Sequence, residues 1–288
     1  MASNLLTADQ VEHFQREGYI APDYRLRGSD FADLKANAER IARENHKPND
    51  RIRQVFLPKR EGVTEGVEGG EHMFRFAILP EVLDIVEQLI GPDIILIGSF
   101  MIAKPAGAGK RVPWHQDGYY LRENVTPLEA VTVWMAIDEV TTQNGCVRFV
   151  PGTKPLGILP TRKESGFGDE IEDGFFDGAT SVPVELAPGQ FSVHDPWVVH
   201  GSEANTHGGR RLGFSYNFIS GKCQYMREHD SVGRSDFEKP AETSTRPIWL
   251  VRGENRNSAN DFTVGHEGLE ELDRVAEQGR QAHRFAKL

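Results

Sequence analysis

Cysteine is nearly missing from this chain of 288 residues, with Cys146 and Cys223 the two present. Two cysteines so far apart make neither a disulfide framework nor the paired spacing of a zinc site. Their scarcity suits a reducing compartment, so a cytoplasmic location is expected. Positive charge is also in deficit. Lys and Arg total 33 against 43 Asp and Glu, a formal net charge of −10, whereas a nucleic-acid-binding domain carries a basic footprint. Neither nucleic acid nor an anionic membrane is an expected partner. Long apolar runs are missing too. The longest, about Ile94 to Ala103, falls well short of the ~20 residues that span a bilayer. The first ten residues lack a basic segment and an apolar stretch, so no signal peptide is expected. No internal repeat, linker or low-complexity segment is visible.

What is present reads as one domain over residues 1–288. Hydrophobic residues make up 38% and charged residues 26%, ordinary for a globular chain, and the length is ample for one large core. A helical N-terminal part is expected over about 5–92, a β core over about 93–222, and a polar segment over about 223–288. Thr7 and Gln10 form a capping box that opens a helix, with Leu6 and Val11 as its staple and Gly18 as its stop. Phe31, Leu34, Ala38 and Ile41 follow at helical spacing. Pro80 opens a third helix that buries Val82, Val86, Leu89 and Ile90 and ends at Gly91-Pro92.

Strands dominate afterwards. Segments 94–103, 112–116, 130–137, 147–150, 182–186, 190–193, 197–200 and 212–219 are rich in β-branched and aromatic residues, with Gly- and Pro-containing turns between them. About eight such strands predict a mainly β fold, a double-stranded β-helix (jelly-roll, cupin-like) core with flanking α-helices.

The chemistry is concentrated in Val112-Pro113-Trp114-His115-Gln116-Asp117-Gly118. Extended chain sends residues two apart to the same side, so His115 and Asp117 converge. A His-x-Asp pair alone is common on protein surfaces. A distal imidazole makes it more, because two His and one carboxylate on one face of iron leave the other face open for oxygen chemistry. His200, closing the apolar run Trp197-Val198-Val199, is the best third ligand. His194-Asp195 is a rival pair, but adjacent residues on a strand point to opposite faces, so His194 is expected to be dispensable for metal. Arg211 lies 11 residues after His200 and offers a charged, bidentate partner for the far carboxylate of 2-oxoglutarate. On its strand Arg211, Gly213, Ser215 and Asn217 share one small, polar face. Leu212, Phe214, Tyr216 and Phe218 form the apolar other. Arg210 then points away from the site.

Together, Pro113 to Asp117, Thr132 to Asp138, Asn144 to Thr153, His200-Gly201-Ser202 with Asn205, and Arg210-Arg211 resemble the phytanoyl-CoA dioxygenase family of Fe(II)- and 2-oxoglutarate-dependent oxygenases. The resemblance runs from about residue 5 to about residue 255. It implies His115, Asp117 and His200 as iron ligands and Arg211 as the 2-oxoglutarate arginine. Ser202 is implied as a hydroxyl sharing that carboxylate, and Gln116 and Trp134 as positions near the co-substrate. The implied reaction uses O2 and 2-oxoglutarate to hydroxylate an unactivated C–H bond of a small molecule, releasing succinate and CO2. Where many relatives have Ser two residues after the arginine, this chain has Gly213, so Ser202 or Ser215 must serve instead. Asp117 argues against halogenation, which needs that carboxylate replaced by a small residue. Desaturation, cyclisation or epimerisation at the same iron stays open, as does a non-catalytic cupin-like metal-binding protein. Residues 161–181, Gly-rich and acidic, are a candidate lid with Phe167, Phe175 and Phe176 as apolar contacts, or else a solvated loop. Tyr119, Tyr120 and Arg122 are candidate substrate contacts, with the core an equal alternative for the two tyrosines, and the polar stretch Arg51 to Gly70 is expected to frame the opening.

Overall fold

The computed structural model describes residues 5–45, 51–63, 65–163, 169–227 and 243–286. Helices cover one face of a large antiparallel sheet, and a smaller sheet covers the other. Helix α1 (Ala8–Glu17) begins at the Thr7–Gln10 capping box and stops at Gly18, whose φ of 82° suits a residue without Cβ. Helix α2 (Gly28–Glu44) buries Leu34, Ala38 and Ile41. Pro80 heads helix α4 (Pro80–Ile90). Before it comes helix α3 (Glu71–Ala77), which the periodicity does not reveal. Four of its seven residues are buried (Met73, Phe74, Phe76 and Ala77), too short and too apolar for a polar stripe to show.

The large sheet runs β1 (Tyr19–Ile20), β8 (Phe191–His194), β5 (Ala130–Ala136), β10 (Arg211–Ser220), β3 (Ile94–Lys104) and β11 (Trp249–Arg252), with β2 (Arg51–Arg53) also on β3. The small sheet runs β7 (Val182–Val184), β6 (Val147–Phe149), β9 (His200–Ser202) and β4 (Val112–His115). Leu212, Phe214, Tyr216 and Phe218 of β10 join the helices in the main core. Between the sheets, Trp134 and Ala136 pack with Val147, Phe149 and Val184. This is the expected mainly β, cupin-like jelly roll with flanking helices.

Three boundaries differ from expectation. Residues 197–199 turn, because Asp195 Oδ1 accepts from the Trp197 amide at 2.9 Å, and the strand starts only at His200. The stretch 51–70 is no polar rim: it supplies β2, and Val55, Phe56 and Leu57 are fully buried. The polar C-terminal segment is part of the core. Strand β11 pairs with β3, and helix α6 (Glu270–Ala286) buries Leu272 and Ala276. Arg252 on β11, itself buried, reaches Asp84 (2.7 Å) and Glu87 (2.8 Å) of α4. Buried ion pairs join the tail to the N-terminal helices, and residue periodicity carries no trace of such pairs.

Candidate active site

His115 ends β4 directly opposite His200 on β9, and their rings lie 4.2 Å apart, centre to centre. Gln116 keeps the extended backbone, so Asp117 turns to the same side as His115 even though it opens the short helix α5 (Asp117–Leu121). Gly118 permits that turn: a Cβ there would fall 2.7 Å from the Trp197 ring. His115 Nδ1 lies 2.8 Å from the Pro113 carbonyl and His200 Nδ1 lies 3.0 Å from that of Val198. A carbonyl only accepts, so both Nδ1 atoms carry the proton and both Nε2 atoms present lone pairs. These Nε2 atoms lie 3.8 and 4.0 Å from the same carboxylate oxygen, Asp117 Oδ1. One ligand atom from each of the three residues falls within 4.8 Å of the others. Burial, with the neighbouring imidazoles His115 and His194, pushes the His200 pKa well down, which keeps its imidazole neutral as ligation requires. Two imidazole nitrogens and one carboxylate oxygen are a donor set suited to iron.

The other carboxylate oxygen, Asp117 Oδ2, is held separately. Thr132 donates to it at 2.8 Å and itself accepts from Asn217 at 2.9 Å. His194 Nε2 lies 3.2 Å from the same oxygen, and its ring lies 4.4 Å from that of His200. His194 is not one of the three clustered donors, as expected, yet it touches Asp117 directly. Strand alternation separates His194 from Asp195 but does not take His194 away from Asp117, which arrives from the opposite sheet. His194, Thr132 and Asn217 form one cross-strand row.

A cavity joins this cluster to Arg211. His115, Asp117, Trp134, His194, His200, Ser202 and Arg211 all line it. Arg211 is 2% exposed; its guanidinium lies 4.9 Å over the Trp134 ring and spends Nε and Nη2 on the Gly145 carbonyl at 3.2 and 2.8 Å. Its Nη1 is buried without a partner. Burial lowers its pKa to about 10, still charged at neutral pH. Arg210 points out to Asp138 and Glu39, as alternation predicts. Gly213 has a reason as well, since a Cβ there would stand 2.1 Å from the Trp134 indole. The space a side chain at 213 would fill is taken by the ring that floors the cavity.

Gln116 is a correction. It points away from His115 and Asp117, donating to the carbonyls of Gly157 (2.8 Å) and Trp197 (2.6 Å) and accepting from the Leu159 amide (2.9 Å). It joins two loops and does not line the cavity. Tyr120 is core, its hydroxyl accepting from the Asp169 amide at 3.2 Å, and Arg122 stacks on Tyr119. Within the candidate lid, Phe167 lies outside the described residues. The described remainder is neither free nor wholly solvated. Thr161–Arg162 pairs with Glu170–Ile171, Arg111 grips Glu170 at 2.5 and 3.1 Å, and Phe176 meets Trp114 edge-on at 5.7 Å. Phe175 is exposed. Sequence reasoning misses Lys104 at this site altogether. A lone cation closing an otherwise apolar strand is the one signal that could have found it.

Comparison with known proteins identifies the family. Residues 14–213 match the family model described as phytanoyl-CoA dioxygenase. The chain belongs to the phytanoyl-CoA dioxygenase family. It is 28% identical to the peroxisomal phytanoyl-CoA dioxygenase of Mus musculus, over 77% of this chain and 71% of that one. It is 26% identical to an L-proline trans-4-hydroxylase of Streptomyces griseoviridis, over 74% and 87%. Among solved structures, the epimerase SnoN in complex with Fe3+, alpha-ketoglutarate and nogalamycin RO shares the fold. Its TM-score is 0.62 and its identity 20%, over 81% of this chain and 93% of that one. As a member of this family the protein is an oxidoreductase, a dioxygenase dependent on iron and 2-oxoglutarate that acts on a small molecule. Among the described residues no helix is long and apolar enough to cross a membrane.

Proposed function

We propose that this chain hydroxylates an unactivated C–H bond of a small molecule, with His115, Asp117 and His200 as the iron ligands and Arg211 as the anchor of 2-oxoglutarate. One observation carries the reading: the two-His, one-carboxylate cluster shares its cavity with a buried guanidinium whose Nη1 has no partner. When bound, Fe(II), 2-oxoglutarate and O2 supply the oxidation, releasing succinate and CO2. The chain's own residues bind, orient and exclude water. The Pro113 and Val198 carbonyls hold the imidazoles in the ligating tautomer. Thr132 and His194 hold Asp117 Oδ2, which would leave Oδ1 as the oxygen offered to the metal. Arg211 neutralises the far carboxylate where water competes poorly, and Trp134 and Ser202 shape that end. Residues 169–181, tied to Arg111 through Glu170 and to Trp114 through Phe176, serve as a lid over the substrate side. The two cysteines are buried and free, which suits a reducing cytoplasm.

The test is anaerobic titration of the protein with Fe(II) and 2-oxoglutarate, read by the visible absorption of the iron, then product analysis in air with a metabolite panel. Wild-type protein should bind both and form succinate. His115→Ala, Asp117→Ala and His200→Ala should each lose iron and succinate formation together. Unchanged iron content and succinate formation in His200→Ala would refute the assignment. A product that is unsaturated, cyclised or inverted would keep the iron site and replace hydroxylation.

A further inference from the structure

Lys104 is the last residue of β3 and pairs in register with Arg211. It is 1% exposed, so two basic side chains lie next to each other inside the protein. A buried charge is stable only when it is paired or hydrogen-bonded. Among the described residues neither is hydrogen-bonded to a carboxylate. Lys104 Nζ donates to Ser202 Oγ at 2.7 Å, to the Ser202 carbonyl at 3.4 Å and to the Glu203 carbonyl. Arg211 keeps Nη1 unpartnered. Burial and the Arg211 charge push the lysine down to about 6, with Glu203 and Cys146 pulling the other way. Ser202 and Arg211 line the cavity, and Lys104 stands behind them.

The hydrogen bond from Lys104 has a directional consequence. A hydroxyl oxygen that accepts from the Lys104 amino group leaves its own proton free to donate. Lys104 is the partner of Ser202 Oγ, so the Ser202 proton is free to turn into the cavity, toward the side where Arg211 Nη1 waits. We infer that Lys104 is a positioning residue that makes this end of the cavity select a 2-oxo dicarboxylate over a 2-oxo monocarboxylate. It orients the Ser202 hydroxyl as a donor toward the far carboxylate. This rests on the reading of the cavity as a 2-oxoglutarate site.

The experiment compares two oxo acids with the same carbon chain, 2-oxoglutarate and 2-oxopentanoate, which lacks the far carboxylate. Each is titrated anaerobically into the Fe(II) protein, read by visible absorption, for wild type, Lys104→Met, Ser202→Ala and the double variant. Lys104→Met should weaken 2-oxoglutarate by about 10- to 100-fold, the scale of one hydrogen bond to a charged group, and leave 2-oxopentanoate within about two-fold. Because Lys104 acts through Ser202, the double variant should lose little beyond either single one. Equal weakening of both oxo acids, or additive losses, overturns the inference and leaves the proposed function standing. Failure of wild-type protein to bind 2-oxoglutarate overturns both. Should Lys104→Met not fold, Lys104→Gln takes its place in the same titration. Selective loss of 2-oxoglutarate then supports the inference, and equal loss of both oxo acids overturns it.

Discussion

The two faces of β10 divide the molecule's labour. On one, Leu212, Phe214, Tyr216 and Phe218 are fully buried against the helices, and the single polar atom, the Tyr216 hydroxyl, donates to the Met73 carbonyl at 2.5 Å. On the other stand Arg211, Gly213, Ser215 and Asn217. There the buried polar atoms are not all paired. Arg211 Nη1 and Ser215 Oγ lack partners, as do Ser192 Oγ and His194 Nδ1 on β8, the strand beyond β5. Buried polar groups are normally satisfied, and each exception costs roughly 1–3 kcal/mol. The apolar face stabilises the fold, and the polar face gives up part of that stability to keep donors and acceptors ready for ligands. A strand can do both because its alternation separates the two tasks by one residue.

The contrast breaks if the apolar face proves dispensable for stability. Phe214→Ala should destabilise the fold by about 3–5 kcal/mol, the usual cost of emptying a buried aromatic site, measured by denaturant unfolding. A loss below ~1 kcal/mol would mean that the sheet and helices are not one core. It sharpens at Arg211. Removing one partner of a buried, hydrogen-bonded charge pair costs on the order of 2–5 kcal/mol, roughly 30- to several-thousand-fold in Kd. Arg211→Ala should therefore raise the 2-oxoglutarate Kd by that factor while iron still binds. Arg210→Ala, which removes an exposed pair with Asp138, should barely change it. The reverse order would put the strand out of register by one residue. The smallest expected effect is at His194. Residues that hold a metal ligand typically contribute 10- to 100-fold in affinity. His194→Phe should weaken Co(II) binding by about that factor, read by absorption titration, and His194→Gln, which keeps a donor, should recover most of it. Wild-type affinity in His194→Phe would make the imidazole a packing group only.

Much of the site is legible in the residues alone. The His115–Asp117 convergence and the outward turn of Arg210 follow from period-two alternation, and His200 as their partner comes from its place after an apolar run and from the family resemblance. The α1 capping box and the Pro80 start follow from backbone hydrogen-bonding needs. The points where sequence and structure part share one cause, the use of chain neighbours as a guide to spatial ones. The motif around Gln116 suggests a place near the co-substrate, yet alternation sends it to the backbone of two loops. His194 is set apart by its relation to Asp195, the residue beside it, and joined to the site by what faces it. Residues 51–70 and 223–288 are polar on average, yet Phe56, Trp249 and Arg252 are buried, because a few well-placed side chains suffice to dock a segment.

By itself the sequence determined the period-two and period-3.6 stripes, the ligand types and their order, and the arginine register, since each depends only on residues within a turn or a strand of one another. The tertiary structure alone decided that β8 would bring His194 to Asp117 and that β3 would end with Lys104 under Ser202. It also decided that Trp134 would occupy the space Gly213 leaves. Those contacts join segments tens of residues apart, and their energies depend on burial and donor geometry that exist only once the two sheets have closed on each other.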